Sequence, residues 1–363
     1  MATRSKLLFV AGARPNFMKI APMIRECNAR SGAFESVLVH TGQHYDSTMS
    51  DVFFSELGIP PPDYNLEAGG GNHSKQSAEI MDKFHGVCEK ESPDCVIVVG
   101  DVNSTLACSI VAKKLLVRVA HVEAGLRSGD RRMPEEINRL VTDAISDYFF
   151  VTEPSGVENL KREGHPTDKI FFVGHVMIDN LFYEYEKVKD VESSLAEEFS
   201  AGYGVVTLHR PSNVDDRDTL SGLVNALDTI SEKLPLFFPV HPRTKKRLND
   251  FDLHFSDRVR LMQPLGYRDF LALWKSAKLV LTDSGGLQEE TTALGIPCLT
   301  LRTNTERPIT VEQGSNRLVG TDPRGVVEAA RATMEREHAY QRPDLWDGSA
   351  SMRIFDVLEK ELL

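Results

Sequence analysis

Short blocks of consecutive apolar residues recur along this chain, and longer stretches with apolar positions three and four apart follow many of them. Blocks at 7–11, 36–41, 95–100, 118–122, 148–152 and 170–174 predict strands, and stretches from about Phe17, near Asp51 and over 74–91 predict helices. Strand and helix alternating in this way give a parallel sheet wrapped by helices. The run 190–203 interrupts the pattern with charge and few large apolar residues. A second series then opens at 204–208 and continues through 236–240, 258–262, 279–282, 298–301 and 317–319. Ile354, Phe355, Val357, Leu358 and Leu362 have the spacing of a closing helix.

The expected architecture is α/β: a doubly wound domain over 1–175, a connection over 176–203, a second doubly wound domain over 204–345 and a C-terminal helix over 346–363. A length of 363 residues supports two domains, since a single core stops growing well below that size. Open α/β sheets bind ligands at the carboxyl ends of their strands, so two such sheets in series predict a cleft faced by both.

Composition narrows the function. With 41% hydrophobic and 26% charged residues the chain has the make-up of a folded soluble protein. A formal net charge of −11 argues against nucleic acid as a partner, because that binding depends on Lys and Arg neutralising phosphates. An anionic ligand must then be held by local cations. The five cysteines, Cys27, Cys88, Cys95, Cys108 and Cys298, are scattered and lack paired spacing, which suits buried reduced thiols in the cytoplasm. No apolar run reaches 18 residues and the first is too short for a signal sequence, so neither membrane nor export is expected.

Strand-to-helix junctions carry the candidate chemistry. Gly12-Ala13-Arg14-Pro15-Asn16-Phe17-Met18-Lys19 follows the first strand and offers backbone N–H groups, a helix N-terminus, Arg14 and Lys19 to a phosphate; an ordinary turn reads the same way. Asp283-Ser284-Gly285-Gly286-Leu287-Gln288-Glu289-Glu290 is the most specific motif. Its glycines allow close approach of a diphosphate, Ser284 can donate, and Glu290 can take a ribose hydroxyl pair, with a simple helix cap as the bland alternative. Asp101, Glu123 and Glu135 stand at the ends of consecutive units, as a reaction that removes one proton and returns another would require. Asp101 and Glu135 also fit helix-start roles, and Glu135 with Arg139 an exposed ion pair, whereas Glu123 ends a buried-looking strand. His209 ends the first strand of the second series, where it can donate to phosphate or move a proton, and His241 holds a similar position. Arg243-Thr244-Lys245-Lys246-Arg247 reads as a solvated helix face; Arg127, Arg131 and Arg132 fit that role or an anion field.

In this order and spacing, these motifs, with His121-Val122-Glu123-Ala124-Gly125-Leu126-Arg127, Pro134-Glu135-Glu136-Ile137-Asn138-Arg139 and Thr305-Glu306-Arg307-Pro308, resemble the UDP-N-acetylglucosamine 2-epimerase family over nearly the whole chain. The resemblance implies two Rossmann-like domains of the glycosyltransferase-B type, no cofactor and no metal. It implies catalytic positions at Asp101, Glu123, Glu135 and His209, with individual acid and base roles unassigned. Arg14, Lys19, Arg139, Ser284, Gly285, Gly286, Glu290 and Arg307 match positions that hold UDP, and Phe270 matches one flanking the uracil. The implied reaction inverts C2 of UDP-N-acetylglucosamine to give UDP-N-acetylmannosamine, by elimination and return of UDP. A homodimer and a place in polysaccharide biosynthesis are implied likewise. Three alternatives remain: a hydrolysing relative that releases N-acetylmannosamine and UDP, a UDP-sugar transferase of the same fold, and a non-catalytic nucleotide-sugar sensor.

The resemblance has departures. Bacterial members activated by a second substrate molecule often read Ala-Gln-His-Arg and His-Arg-Arg-Glu; here stand Gly42-Gln43-His44-Tyr45 and His209-Arg210-Pro211-Ser212, which removes two arginines from that regulatory site. His175 stands where the family commonly has Asn.

Overall fold

A chain whose strands are buried on both faces must place successive side chains into two different cores, and β1 (Ser5–Ala11) does so. Leu7, Phe9 and Ala11 join one apolar cluster, while Leu8 and Val10 join another on the opposite face. The structure, a computed structural model, describes residues 4–42, 51–191, 199, 201–335 and 340–363, without the side chains of residues 14 and 51–53. The chain divides into two compact units, Met1–Asn180 with Asp344–Leu363, and Leu181–Pro343.

The first unit is a seven-stranded sheet. Its strands are β1, β2 (Phe34–His40), β3 (Tyr64–Asn65), β4 (Cys95–Val99), β5 (Arg118–Val122), β6 (Tyr148–Val151) and β7 (Ile170–Phe172). They lie in the order β3-β2-β1-β4-β5-β6-β7, with parallel pairing throughout. The order reverses between β1 and β4, so the loops leaving those strands open a crevice at the carboxyl edge. Both carry candidate residues, since α1 (Arg14–Ala29) follows β1 and α4 (Asn103–Lys114) follows β4. On one face, α1 and the terminal helix Ala350–Leu362 cover the sheet, with the Phe34 and Phe355 rings 5.3 Å apart, edge to face. On the other, α3 (His73–Glu91), which comes after α2 (Asp51–Leu57) in the chain, and α4 supply Ile80, Phe84, Ala107 and Cys108.

The C-terminal helix therefore belongs to the first unit, although it comes last in sequence. Asp179 holds its start: the two carboxylate oxygens accept from the N–H groups of Ala350 (2.9 Å) and Ser351 (2.6 Å). Trp346 is fully buried just before it, and its indole N–H donates to the Thr152 carbonyl at 3.3 Å. The stretch expected as a connection opens with a thirteen-residue helix, α7 (Val176–Val188); residues 192–198 and 200 lie outside the described residues.

The second unit is a six-stranded parallel sheet of β8 (Gly204–Thr207), β9 (Leu236–Pro239), β10 (Val259–Met262), β11 (Leu279–Thr282), β12 (Cys298–Thr300) and β13 (Asn316–Leu318). The order β10-β9-β8-β11-β12-β13 places its reversal between β8 and β11. These are the strands that lead into His209 and Ser284. The twelve longer strands fall where the apolar runs predict them; β3 is absent from the sequence reading, being two residues long. All five cysteines are buried and free, and burial pushes the Cys27, Cys88 and Cys95 thiols up to about 12, which keeps them protonated and inert. Among the described residues no helix is long and apolar enough to cross a membrane.

Helix α5 (Pro134–Ile145) follows β5 after a loop, and α6 (Pro154–Arg162) follows β6. The turn leaving β5 meets the start of α6 at two glycines. Gly125 has φ +79°, and a Cβ there would lie 2.3 Å from the Gly156 carbonyl oxygen. Gly125→Ala combines left-handed backbone cost with overpacking against a rigid carbonyl. We expect it to destabilise the first unit by about 2–5 kcal/mol, read as a lowered urea midpoint for the probe of that unit.

Candidate active site

Beside the β8–β11 reversal a cavity of about 360 Å³ opens, lined by residues from both strand ends and from the segments after β9 and β10. His209, Phe270, Ser284, Gly286 and Glu290 all line it, five of the residues singled out from sequence. Its wall adds Leu208, Pro239, Pro264, Leu265 and Leu287, an apolar lining suited to an aromatic base. Ser284 is the residue before helix Gly285–Leu294, so the glycines supply uncovered N–H groups at a positive helix end, the arrangement that takes a phosphate. Among the described residues no side chain caps that helix start, and a Cβ at either glycine would meet nothing within 4 Å.

Asp283, which sequence reasoning left as part of a motif, organises this end of the unit. It is fully buried, and its carboxylate accepts from the backbone N–H groups of His209 (3.1 and 3.0 Å) and Arg210 (2.9 Å) and from the Asn213 amide at 3.2 Å. The His209 Nδ1 lies 2.9 Å from Oδ1 of the same group. Burial alone would raise the Asp283 carboxyl, but the His209 ring and these N–H groups outweigh it and hold the acid below its usual range. His209 is thereby fixed through Nδ1 on a ring that lines the cavity.

Glu290 is buried within the same helix and accepts from the Tyr267 hydroxyl at 2.7 Å. Arg307, expected at the nucleotide, pairs through Nε with Glu289, the preceding acid. His241 lines the cavity and also caps helix Pro242–Asp250, its Nδ1 accepting from the Arg243 N–H at 3.2 Å. Arg243 and Arg247 pair with Asp215 on the surface, the solvated face expected of that cluster.

In the first unit the candidate acids sit at the ends of β4 and β5 and at the start of α5. Glu123 is 4% exposed, has φ +72° and is held by a 2.5 Å contact from the Lys19 ammonium to Oε2. A non-glycine residue in that conformation is strained, and the N–H groups of Glu123 and Ala124, both donating to the Phe150 carbonyl at 3.0 and 3.2 Å, hold the turn in place. His175 Nδ1 stands 3.7 Å from the other Glu123 oxygen. Gly100 abuts the pair: a Cβ there would lie 3.4 Å from both Glu123 Oε2 and Lys19 Nζ. Asn16 shapes the loop before Lys19 by accepting from the N–H groups of Gly12 (3.2 Å) and Ala13 (2.9 Å).

Asp101 receives Arg139 Nη2 at 2.5 Å, and its carbonyl accepts from the Asn138 amide at 2.8 Å. The second arm of Arg139 goes to Glu136 at 2.8 Å. Glu136, rather than Glu135, is the buried acid of this helix start. It accepts from the Ser128 N–H and hydroxyl (2.9 and 3.0 Å) and the Gly129 N–H (3.1 Å). Burial would raise its carboxyl, and these bonds with Arg139 bring it below the ordinary value. Glu135 is partly exposed at the second position of α5. The structure thus joins Lys19 to Glu123 and Arg139 to Asp101 in one unit, and gathers His209, Phe270, Ser284, Gly286 and Glu290 in the other. The side chain of Arg14 and all of Gln43-His44-Tyr45 lie outside the described residues. Arg127 is taken up by Asp143 (2.7 Å) and Glu163 (2.6 Å), and Arg132 by Asp130 (2.8 Å).

The family model described as UDP-N-acetylglucosamine 2-epimerase matches residues 25–359. A protein of Methanocaldococcus jannaschii named UDP-N-acetylglucosamine 2-epimerase is 41% identical over 364 residues, 97% of this chain and 98% of the relative. The crystal structure of that organism's enzyme in complex with UDP-GlcNAc and UDP superposes with a TM-score of 0.82 at 40% identity, covering 98% of this chain and 99% of that one. A Pseudomonas aeruginosa UDP-2,3-diacetamido-2,3-dideoxy-D-glucuronate 2-epimerase is 39% identical, covering 98% and 99% of the two chains. A glycosyltransferase of kitacinnamycin, at 12% identity and TM-score 0.65 over 99% of this chain and 100% of its own, shares the fold alone. The fold is the two-domain parallel-sheet architecture of the glycosyltransferase-B type.

Glu290 gives this site a measurable signature. Burial pushes its carboxyl up to about 7 from an ordinary 4.5, the Glu289 charge adds to the rise, and the Tyr267 hydroxyl opposes it. The folded chain therefore holds this proton more tightly than the unfolded one, so stability is lost as pH climbs from about 4.5 to about 7. Glu290→Gln cannot titrate. Its stability relative to wild type should rise across that window by about 3 kcal/mol, measured by denaturant unfolding at a series of pH values. A difference that stays constant with pH would contradict the assignment.

Proposed function

Because the chain belongs to the UDP-N-acetylglucosamine 2-epimerase family, we propose that it inverts C2 of UDP-N-acetylglucosamine to give UDP-N-acetylmannosamine without releasing UDP as a product. The carrying observation is the second-unit cavity, in which an apolar wall, a glycine-rich helix start, Glu290 and His209 stand together in a chain 41% identical to a named 2-epimerase. Phe270 flanks the uracil, Glu290 takes ribose hydroxyls, and Ser284 with the N–H groups of Gly285 and Gly286 takes the diphosphate.

The chemistry follows from what the bonds require. The C2 hydrogen is not adjacent to a carbonyl, so its loss is coupled to departure of the diphosphate from C1. The C2–H and C1–O bonds break, a C1=C2 double bond forms, the proton goes to a carboxylate and the electron pair of C1–O leaves with UDP. Return of a proton to the opposite face of C2 and of UDP to C1 completes the inversion with no net redox change. Asp101, Glu123 and Glu135 supply the proton-transfer groups, with Lys19 and Arg139 beside two of them. The leaving oxygen gains charge as its bond breaks, so donors to the diphosphate, His209 among them, contribute most in the transition state.

Proton NMR in D2O with UDP-N-acetylglucosamine tests this reading. The expected result is a mixture of both UDP-sugars with deuterium at C2 and the UDP linkage conserved. Stoichiometric free UDP with N-acetylmannosamine would assign the hydrolysing reaction instead, and acceptor-dependent transfer without C2 exchange a glycosyltransferase. UDP binding with no exchange would leave a sensor. The Pseudomonas relative makes UDP-2,3-diacetamido-2,3-dideoxy-D-glucuronate the comparison substrate; its faster exchange would reassign the sugar. Asp101→Asn, Glu123→Gln and Glu135→Gln should each slow C2 exchange by roughly 10²-fold or more while UDP affinity, read by calorimetry, stays within about threefold.

A further inference from the structure

His121 and Asp143 are both 0% exposed and lie outside the residues assigned to substrate. Both ring nitrogens of His121 face acceptors: Nδ1 lies 2.6 Å from Asp143 Oδ1, and Nε2 lies 2.8 Å from the Gly100 carbonyl. A ring between two acceptors carries hydrogen on both nitrogens, so this is an imidazolium. The other Asp143 oxygen accepts from the Gly125 N–H at 3.1 Å and from Arg127 at 2.7 Å. Gly100, with φ +69°, immediately precedes Asp101; Gly125, with φ +79°, comes two residues after Glu123. One buried pair thus ties together the two left-handed turns that present the two acids.

We propose that His121 and Asp143 are positioning residues for the proton-transfer step, fixing the turn before Asp101 and the turn after Glu123 relative to each other. This rests on the functional reading above. A buried ion pair is weak support for stability, because apolar replacements of equal volume often stabilise a core as well or better. Geometry is what an apolar replacement could not supply: two carbonyl and N–H groups held at fixed separation through one charged bridge. Burial would drive the His121 ring neutral, and Asp143 with the Gly100 carbonyl outweighs it, holding the ring above its ordinary value. Arg127, paired also with Glu163, and Glu123 on the adjoining turn are further charges that face the pair.

The test uses the full chain with His121→Gln and Asp143→Asn. In the first variant an amide can reach one of the two acceptors but not both; the second keeps the shape of the aspartate while losing the charge that holds the imidazolium. Three quantities are read: C2 deuterium exchange as separate kcat and KM, UDP affinity by calorimetry, and the thermal midpoint. The expected result is a kcat for exchange lowered by about 10²-fold, with KM and UDP affinity within about threefold, as a small misplacement of a catalytic group produces. Exchange within about threefold of wild type in both variants would overturn the proposal. So would UDP affinity falling in step with kcat, or failure of both variants to fold, either of which assigns the pair to the fold itself. Wild-type chain showing no C2 exchange would sink the functional reading and the proposal together, a result visible before any variant is made.

Discussion

A carboxylate removed from water must find a cation, a hydrogen bond or a proton, and the way each buried acid here meets that demand sets what its unit can do. Glu123 meets it with the Lys19 ammonium, Glu136 with Arg139 and the Ser128 and Gly129 N–H groups, and Asp143 with His121 and Arg127. In the second unit Asp283 meets it with His209 and backbone N–H groups, Glu289 with Arg307, and Glu290 with a neutral phenol and a raised pKa. Glu136, Asp143 and Asp283 are held below the ordinary carboxylate range by their partners and fix loops, whereas burial pushes Glu290, which leans on the Tyr267 hydroxyl, up to about 7.

These demands arise where parallel sheets turn. At the carboxyl edge the chain must turn away from the strand, and in the first unit it does so through left-handed backbone at Gly100, Glu123 and Gly125. Glycine adopts that conformation freely, while Glu123 adopts it at a cost of about 1–2 kcal/mol. The strain is held by the paired bonds to Phe150 and by the Lys19 contact, so the turn that orients the acid is over-determined.

The sheets were legible in the sequence because a strand covered on both faces leaves an uninterrupted apolar run, as at Cys95–Val99 and Leu279–Thr282. Tyr64–Asn65 does not, since two residues have no period. The glycine turn at Gly285 and Gly286 was legible for the same local reason. Glu136 was not: adjacent acids at a helix start differ only in rotation about the axis, and i+3 or i+4 to Arg139 are equally good neighbours. Asp283 was in plain view within its motif, but its partner His209 lies 74 positions away, across a strand pair that pattern alone does not join. The terminal helix was read as helical yet not as part of the first unit, because its tie to Asp179 spans 171 positions.

The histidine–aspartate pairs His121–Asp143 and His209–Asp283 show how burial decides use. Both rings present Nδ1 to a fully buried aspartate, at 2.6 Å for His121 and 2.9 Å for His209. The His121 ring is enclosed and its second nitrogen is committed to the Gly100 carbonyl, so it can neither exchange a proton with a ligand nor rotate without breaking the Asp101 turn. The His209 side chain is 42% exposed and lines the cavity, so the same aspartate that fixes its tautomer leaves its other edge on the wall a ligand would meet. The chemistry of the two residues is alike; access to the second nitrogen separates a group that holds the site from one that can act in it.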